Sequence, residues 1–493
     1  MEKIKINKKN DIRVRFAPSP TGFLHIGGAR TALVNYLFTK SKKGTFILRI
    51  DDTDRNRLVK NSVNDIMKSL KWLSLNWNEG PEIGGSFKPY YQSERLSLYK
   101  KYINKLIEKE KAYHCFCSPA RLETLKKNQL AQGRLATRYD RQCRSLTPKQ
   151  IADFKKSQKK YVIRFKAPKE KEIKFNDLLK GPIKFKERLD DFVLLKSDGY
   201  PTYHLASVID DYLMKITHII RGDEWVPSTP KHISLYDAFG WEHPYFIHLP
   251  AILSPQGGKL SKREGAVSVR DFREKGYLPE AIINFIIFLG WNPGTKEEIF
   301  SLKELIERFS IKRMGSSPGI FDITKLNYLN GYYIRNKTEK ELLKTLKNFD
   351  PKISNLASDI FLLKVIKIEK ERMVTLNDFT ELTHYFFNIP KYDPNILIFK
   401  KSNLNKTLIG LEDFLSHLVN LFESKWTEDF LNEILIEIVK KNNLSNGDVF
   451  WPIRTALSGL EASPSPAELL FVLGKEESIK RIEKAIGFLI NKK

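Results

Sequence analysis

The sequence predicts an α/β fold: a doubly wound parallel sheet, interrupted by an α/β insertion and followed by an all-α C-terminal region. Three observations predict it. Residues 12–50 read strand, glycine-rich turn, helix, strand. Continuous apolar strand-like runs return only after about residue 203, beyond a mixed and lysine-rich stretch. From about residue 300 the chain is patterned almost wholly as helix.

Taken in order, IRVRF (12–16) is a short strand, and APSPTGFLHIGG behind it is a loop rich in glycine and proline. ARTALVNYLFTK then places Ala32, Leu33, Tyr36 and Leu37 at helical spacing, and Gly44 stands where that helix should stop. TFILRI (45–50) is a second strand. Helices are expected over 62–75 and 93–112. Residues 113–203 carry strand-like pieces (YVIRF, FVLLKS) between lysine-rich connections, as an insertion between two halves of a sheet would. THIIRG (217–222) and YFIHLPAIL (245–253) resume the sheet, and segments such as ELIERF and LNEILIEIVKK build the helical remainder.

A chain of 493 residues exceeds one hydrophobic core and suggests roughly three to five domains. Its 41% hydrophobic and 29% charged residues are those of a folded globular protein, not a disordered one. The net charge of +26 favours a polyanionic partner, nucleic acid first; charge alone leaves a lysine-rich composition bias as the alternative. Three cysteines, Cys115, Cys117 and Cys143, are too few for a disulfide scaffold. Met1–Lys9 is polar with no apolar segment behind it, and no apolar run approaches the roughly 20 residues of a membrane span. A cytoplasmic location without membrane contact is the expectation.

Two motifs carry chemistry. Pro18-Ser19-Pro20-Thr21-Gly22 and His25-Ile26-Gly27-Gly28 precede a helix, so glycine backbone and free helical N–H groups are available to a phosphate. Alone, this also describes a plain turn before a helix. Lys259-Leu260-Ser261-Lys262-Arg263, after Gln256-Gly257-Gly258, puts two lysines on a glycine-flanked loop able to close on a triphosphate; alone, it also describes a solvated surface loop.

Together, about 230 residues apart and each after a strand, the motifs resemble the H-I-G-H and K-M-S-K-S signatures of class I aminoacyl-tRNA synthetases, in the forms found in the bacterial glutamyl-tRNA synthetase family. Gly28 in the fourth position is common in that family. The resemblance continues through Arg15–Gly22, Arg49-Ile50-Asp51-Asp52-Thr53-Asp54-Arg55, Ser197–His204, Arg221-Gly222-Asp223-Glu224-Trp225, Trp451–Gly459 and Leu473-Gly474-Lys475-Glu476, essentially the whole chain. It implies a Rossmann-type catalytic domain in two halves (1–100 and 204–255), an acceptor-end-binding insertion (101–203), a stem-contact region with the KLSKR loop (256–335) and a helical anticodon-binding region (336–493).

The resemblance implies ATP-dependent activation of L-glutamate and transfer to the terminal adenosine of tRNA-Glu, with Mg²⁺ accompanying ATP and bound tRNA required for activation. His25, Lys262 and Lys259 are the implied catalytic residues, and Pro18, Gly27, Gly28, Lys259, Ser261 and Lys262 the ATP contacts. Arg15, Ala17, Ser19, Asp51, Tyr203, Ser207 and Arg221 are the implied glutamate contacts. Arginine is the side chain whose planar fork reads a carboxylate. Asp51 stands where the family more often has glutamate, and Ser207 where it often has asparagine. Read without the family, each is equally a strand-edge charge, a solvated turn or a core residue.

Arg372, Trp451 and Arg454 are the candidate tRNA contacts. Cys115, Cys117 and Cys143 match three of the four zinc ligands of some relatives. The fourth position is Ser145; His114, Tyr139 or Asp140 could substitute, but a degenerate site is the reading, so zinc is not expected. The chain is expected to act as a monomer. Rival readings are a non-discriminating enzyme that also charges tRNA-Gln and a catalytically inactive RNA-binding paralogue.

Overall fold

The computed structural model describes residues 11–134, 136–168, 172–186, 189–258, 260, 267–389 and 391–491. Lys259, Ser261 and Lys262 lie outside these described residues. The chain divides into two compact units, Met1–Glu274 with Pro279–Leu326, and Lys275–Leu278 with Asn327–Lys493.

The first unit is built on strand β1 (Arg13–Phe16), helix α1 (Ile26–Ser41) and strand β2 (Thr45–Leu48). β1 and β2 run parallel in register from Arg13↔Thr45 to Phe16↔Leu48. All four residues of β1 are buried, which its two arginines tolerate because each finds an acid: Arg13 reaches Glu79 at 2.9 Å and Arg15 reaches Asp211 at 3.0 Å. α1 begins three residues earlier than its apolar spacing implies, because His25 caps it: the His25 Nδ1 accepts from the Gly27 N–H at 3.1 Å. Buried residues occur on most of its sides, since it packs against β1 and against helix Pro279–Phe288. Helices α2 (Ser62–Trp72) and α3 (Leu96–Glu108) follow.

The insertion holds β3 (Ala112–Cys115), helices α4 (Pro119–Ala131) and α5 (Pro148–Lys156), β4 (Val162–Phe165), β5 (Ile173–Asp177), β6 (Gly181–Phe185) and β7 (Val193–Leu195). β3, β4 and β7 form a separate antiparallel sheet. The β5–β6 hairpin does not stay in the insertion. After helix α6 (Tyr203–Leu213), strand β8 (His218–Gly222) and helix α7 (Thr229–Phe239), strand β9 (Tyr245–Leu249) pairs with β8 on one side and β5 on the other. The main sheet therefore runs β2-β1-β8-β9-β5-β6, and β5 and β6, the two strands at one edge, come from the insertion. Apolar residues alternate with exposed ones along β5, and its buried Ile173 and Phe175 join Phe246 in one core cluster.

The second unit is helical throughout its described residues after Asn327. Helices include Glu339–Phe349, Asp359–Glu369, Leu404–Asn420, Glu428–Lys441, Asn446–Ser458 and Lys475–Ile490. Thr338 with Glu341 and Ser465 with Glu468 form capping boxes that set two of the helix starts. No helix among the described residues is long and apolar enough to cross a membrane.

Candidate active site

A cavity of about 680 Å³ opens at the C-terminal ends of β1 and β8 and the N-terminus of α1. This is the end of a parallel sheet at which ligands bind. Arg15, Ala17, Ser19, Gly27, Gly28, Asp51, Tyr203 and Arg221 all line it, as do Thr31, Lys196, Glu224 and Trp225. Residues from 15 to 225 thus converge because β1 and β8 are hydrogen-bonded neighbours. A Cβ at Gly28, in the first turn of α1, would come within 3.2 Å of Leu24 Cδ1, so glycine lets the helix start close against Leu24.

One wall is an ionic lattice. Arg49 is fully buried and holds Asp51 with two bonds, Nε to Oδ1 at 2.7 Å and Nη2 to Oδ2 at 3.2 Å. Its Nη1 reaches Asp211 at 2.7 Å, and the Arg15 Nε donates to the same Asp211 oxygen at 3.0 Å. The neighbouring Asp210 accepts from Gln92, Arg95 and Tyr99. Burial disfavours the Arg49 cation, but Asp51, Asp211 and Asp210 more than offset it and raise its pKa well above the ordinary value. Burial likewise opposes the Asp211 anion, and Arg15 and Arg49 lower its pKa on balance. For Asp51, burial wins: its carboxyl is pushed up to about 6 against the pull of Arg49.

The other wall carries Arg221 and Tyr203. The Arg221 Nη1 donates to the Tyr203 hydroxyl at 3.1 Å, and the Tyr203 ring lies against Trp225 with centroids 4.3 Å apart. Residues 267–269, which follow the second motif in sequence, approach the first. Ile26 N–H donates to Val267 O and Val269 N–H to Leu24 O, both at about 2.8–2.9 Å, so the residues just after the KLSKR loop run alongside His25.

Among the described residues, three implied catalytic or substrate contacts lie outside the lining, one of them His25, which caps α1. Ser207 does not line the cavity: it sits one helical turn after Tyr203, buried, with its Oγ donating to Asp211 at 3.4 Å. Pro18 is likewise outside the lining, and its carbonyl accepts the Asp51 N–H. Asp210 and Asp211 were missed by the sequence reading, although two adjacent acids in the apolar run VIDDYL are a detectable signal that cations await them in the core.

In the insertion, the three cysteines converge, their sulfurs within 4.8 Å of one another. The Tyr139 hydroxyl joins them, at 3.4 Å from both Cys115 and Cys117 Sγ, while Cys117 and Cys143 sulfurs are 3.5 Å apart. Of the three residues able to replace the fourth ligand, Tyr139 is the one placed against two of the thiols. A tetrahedral zinc with Zn–S of about 2.3 Å has edges of about 3.8 Å, so three thiols and a phenol at these spacings can hold such a cation.

In the helical unit, the Arg372 Nη1 donates to the buried Glu369 at 2.8 Å, and Glu369 also accepts from the Tyr385 hydroxyl at 2.5 Å. Trp451 gives its indole N–H to Ile396 O, and the Arg454 guanidinium lies 4.6 Å over its ring. The Trp451 N–H is therefore spent on the fold.

A mixed, mostly parallel sheet with a phosphate-suited helix start at its strand ends, followed by a helical C-terminal unit, is the fold of a class I aminoacyl-tRNA synthetase, an enzyme class. Residues 11–328 match the family model for the catalytic domain of class I tRNA synthetases (E and Q), and residues 337–486 match an anticodon binding domain. The chain belongs to this E and Q family of class I tRNA synthetases. It is similar to the glutamate–tRNA ligases of Clostridium botulinum (44% identical, 97% of this chain and 99% of the relative) and Clostridium novyi (43%, 97% and 98%). Among solved structures it resembles the glutamate tRNA ligase of Elizabethkingia meningosepticum in complex with its amino acid, with a TM-score of 0.89, 37% identity, and coverage of 97% of this chain and 99% of that one.

Proposed function

We propose that the chain is a glutamate–tRNA ligase: it activates L-glutamate with ATP and transfers the acyl group to the 3′-terminal adenosine of tRNA-Glu. The single observation that carries the reading is the cavity at the sheet's C-terminal end, where Arg15 and Arg221 stand with Asp51 beside a phosphate-suited helix start. Similarity to glutamate–tRNA ligases over 97% of the chain supports it.

The substrate has two carboxylates and one ammonium, and the cavity offers cations and an anion to match. Arg221 and Arg15 take the side-chain carboxylate through charge-assisted bonds. Asp51 takes the ammonium, sharing its carboxylate with Arg49. The α-carboxylate then attacks the α-phosphorus of ATP, which arrives with Mg²⁺; the P–O bond to pyrophosphate breaks as the acyl–phosphate bond forms. The terminal ribose 2′-hydroxyl next attacks the acyl carbon, and AMP leaves. No side chain acts as nucleophile. The N–H groups at the start of α1, with His25, Lys259 and Lys262, supply positioning and charge stabilisation. Arg372, Trp451 and Arg454 are the proposed tRNA contacts of the helical unit. The enzyme works as a cytoplasmic monomer.

The test is charging of purified tRNA-Glu and tRNA-Gln with labelled glutamate, side by side. Charging of tRNA-Glu is expected. Failure to charge either tRNA, with ATP and Mg²⁺ present, would refute the reading, and equal charging of both would establish the non-discriminating form.

A further inference from the structure

Besides Tyr203 in the cavity lining, Arg221 is held by three buried side chains, Thr229, His232 and His248, that the proposed reaction leaves without a task. The Arg221 Nε donates to His248 Nε2 at 3.1 Å, and its Nη2 to Thr229 Oγ1 at 2.9 Å. Its Nη1 meets both Tyr203 OH at 3.1 Å and His232 Nδ1 at 3.3 Å. A guanidinium has five N–H donors and no acceptor. Four of them are therefore taken, and both imidazole nitrogens that face Arg221 must be acceptors.

The tautomer of His248 is set from the far side. Its Nδ1 lies 2.6 Å from Asp177 Oδ2, which also accepts the His248 backbone N–H at 3.1 Å. The other Asp177 oxygen accepts the Leu179 and Lys180 N–H groups at 3.0 and 2.9 Å. Burial alone would raise the Asp177 pKa, but His248 and these backbone donors outweigh it and hold the carboxyl below its usual range. Asp177 is thus an anion, the His248 proton sits on Nδ1, and Nε2 is left as a lone pair aimed at Arg221. His232 repeats the pattern. With Nδ1 accepting from Arg221, its proton sits on Nε2 and goes to His204 Nδ1 at 3.1 Å. Burial lowers the pKa of all three histidines, so each stays neutral at physiological pH.

These partners share one property: none is charged. Among the described residues no carboxylate pairs with Arg221, whereas Arg15 and Arg49 each bond one directly. An arginine held by neutral acceptors keeps its whole charge for a ligand. It is also fixed in orientation, with one N–H of Nη2 unspent. A carboxylate gains from both features. A side-chain amide of the same shape gains little from the charge and presents its own N–H groups to a donor.

We infer that Asp177 and His248, with His232, are positioning residues that hold Arg221 as an oriented and uncompensated cation, and that this arrangement makes the cavity choose an acidic amino acid over its amide. The inference rests on the proposed contact between Arg221 and the substrate's side-chain carboxylate. It also gives the insertion a part in amino-acid selection, because Asp177 ends β5, the strand that the insertion adds to the main sheet.

The test compares two polar replacements in the full-length chain. His248→Asn keeps a donor for Asp177 but has no atom where Nε2 stood. His248→Gln can place its amide oxygen near that point and accept from Arg221. Glutamate and ATP KM, kcat, and the ratio of glutamate to glutamine activation are measured in tRNA-stimulated pyrophosphate exchange. His248→Asn should raise the glutamate KM about 30-fold and lower the glutamate-to-glutamine ratio, with kcat and ATP KM within about 2-fold, and His248→Gln should recover most of the loss. Equal effects of Asn and Gln, or an unchanged glutamate KM in His248→Asn, would overturn the inference. Arg221→Lys separates the two levels: if it too leaves the glutamate KM unchanged, the reading of Arg221 itself fails, whereas a raised KM there with a silent His248→Asn removes only the positioning role. Should His248→Asn not fold, Asp177→Asn takes its place, and the same split between glutamate and ATP KM is required of it.

Discussion

Arg15 and Arg221 line the same cavity and are nearly equally buried, at 3% and 5% exposure, yet they are held by opposite means. Arg15 belongs to a lattice with Arg49, Asp51 and Asp211 in which each charge is answered by another. Arg221 belongs to a cage of hydroxyls and neutral imidazoles in which its charge is left unanswered. Burying a cation costs several kcal/mol unless it is paired. The lattice removes that cost and makes a rigid floor. The cage bears it and makes a site that is completed when an anion arrives. One residue type thus stands charge-compensated on one wall and uncompensated on the other, and the partners decide which.

Breaking the lattice should have the largest effect. Arg49→Ala leaves Asp51 and Asp211 buried without their shared cation, so a loss of about 3–5 kcal/mol in unfolding free energy is expected by denaturant titration. A loss below about 1 kcal/mol would mean that the lattice is not structural.

An intermediate effect concerns pH. In the proposed function deprotonated Asp51 takes the substrate ammonium, and its carboxyl stands at about 6, raised by burial against the pull of Arg49. Protons therefore compete with glutamate as pH falls through that value. The glutamate KM should be flat above about pH 7 and rise about tenfold per unit below about 6, while the substrate's own side-chain carboxyl stays ionised to about pH 5. Asp51→Asn should raise the KM at neutral pH and abolish this limb. A wild-type KM that is flat from pH 7 to 5 would remove Asp51 from ammonium binding.

The smallest effect sharpens the boundary of the site. Ser207 touches Asp211 through one long bond and does not reach the cavity. Ser207→Ala should therefore change the glutamate KM less than about 2-fold and stability by less than about 1 kcal/mol. A tenfold rise in KM would show that Ser207 contacts substrate after all.

Much of this was legible in the chain. The strand–turn–helix–strand opening is written in apolar spacing and in Gly27 and Gly28, and it appears as β1, α1 and β2 with end shifts of one to three residues. Arg15, Ala17, Ser19, Asp51, Tyr203 and Arg221 share one cavity, as their family positions imply. What was not legible is who holds whom. Ser207 stands in a substrate-contact position in sequence and turns to Asp211 in space. Tyr139 is in sequence one of three possible fourth partners for the cysteines, with His114 and Asp140, and only the folding together of β3, the α4 region and the turn at Cys143 selects it. Asp177, before a turn, looks like any turn aspartate, and only the addition of β5 to the main sheet sets it against His248.

The sequence alone determined the elements, the family and the residues able to meet ATP and an acidic substrate, because backbone propensity, apolar periodicity and local glycine geometry act over a few residues and are recorded there. Tertiary structure decided the charge state and orientation of those residues. Arg49 and Asp211 are 162 positions apart, and Asp177 and His248 are 71 apart. Electrostatic pairing depends on distance in space and on exclusion of water, and neither exists until the sheet has closed around the pair.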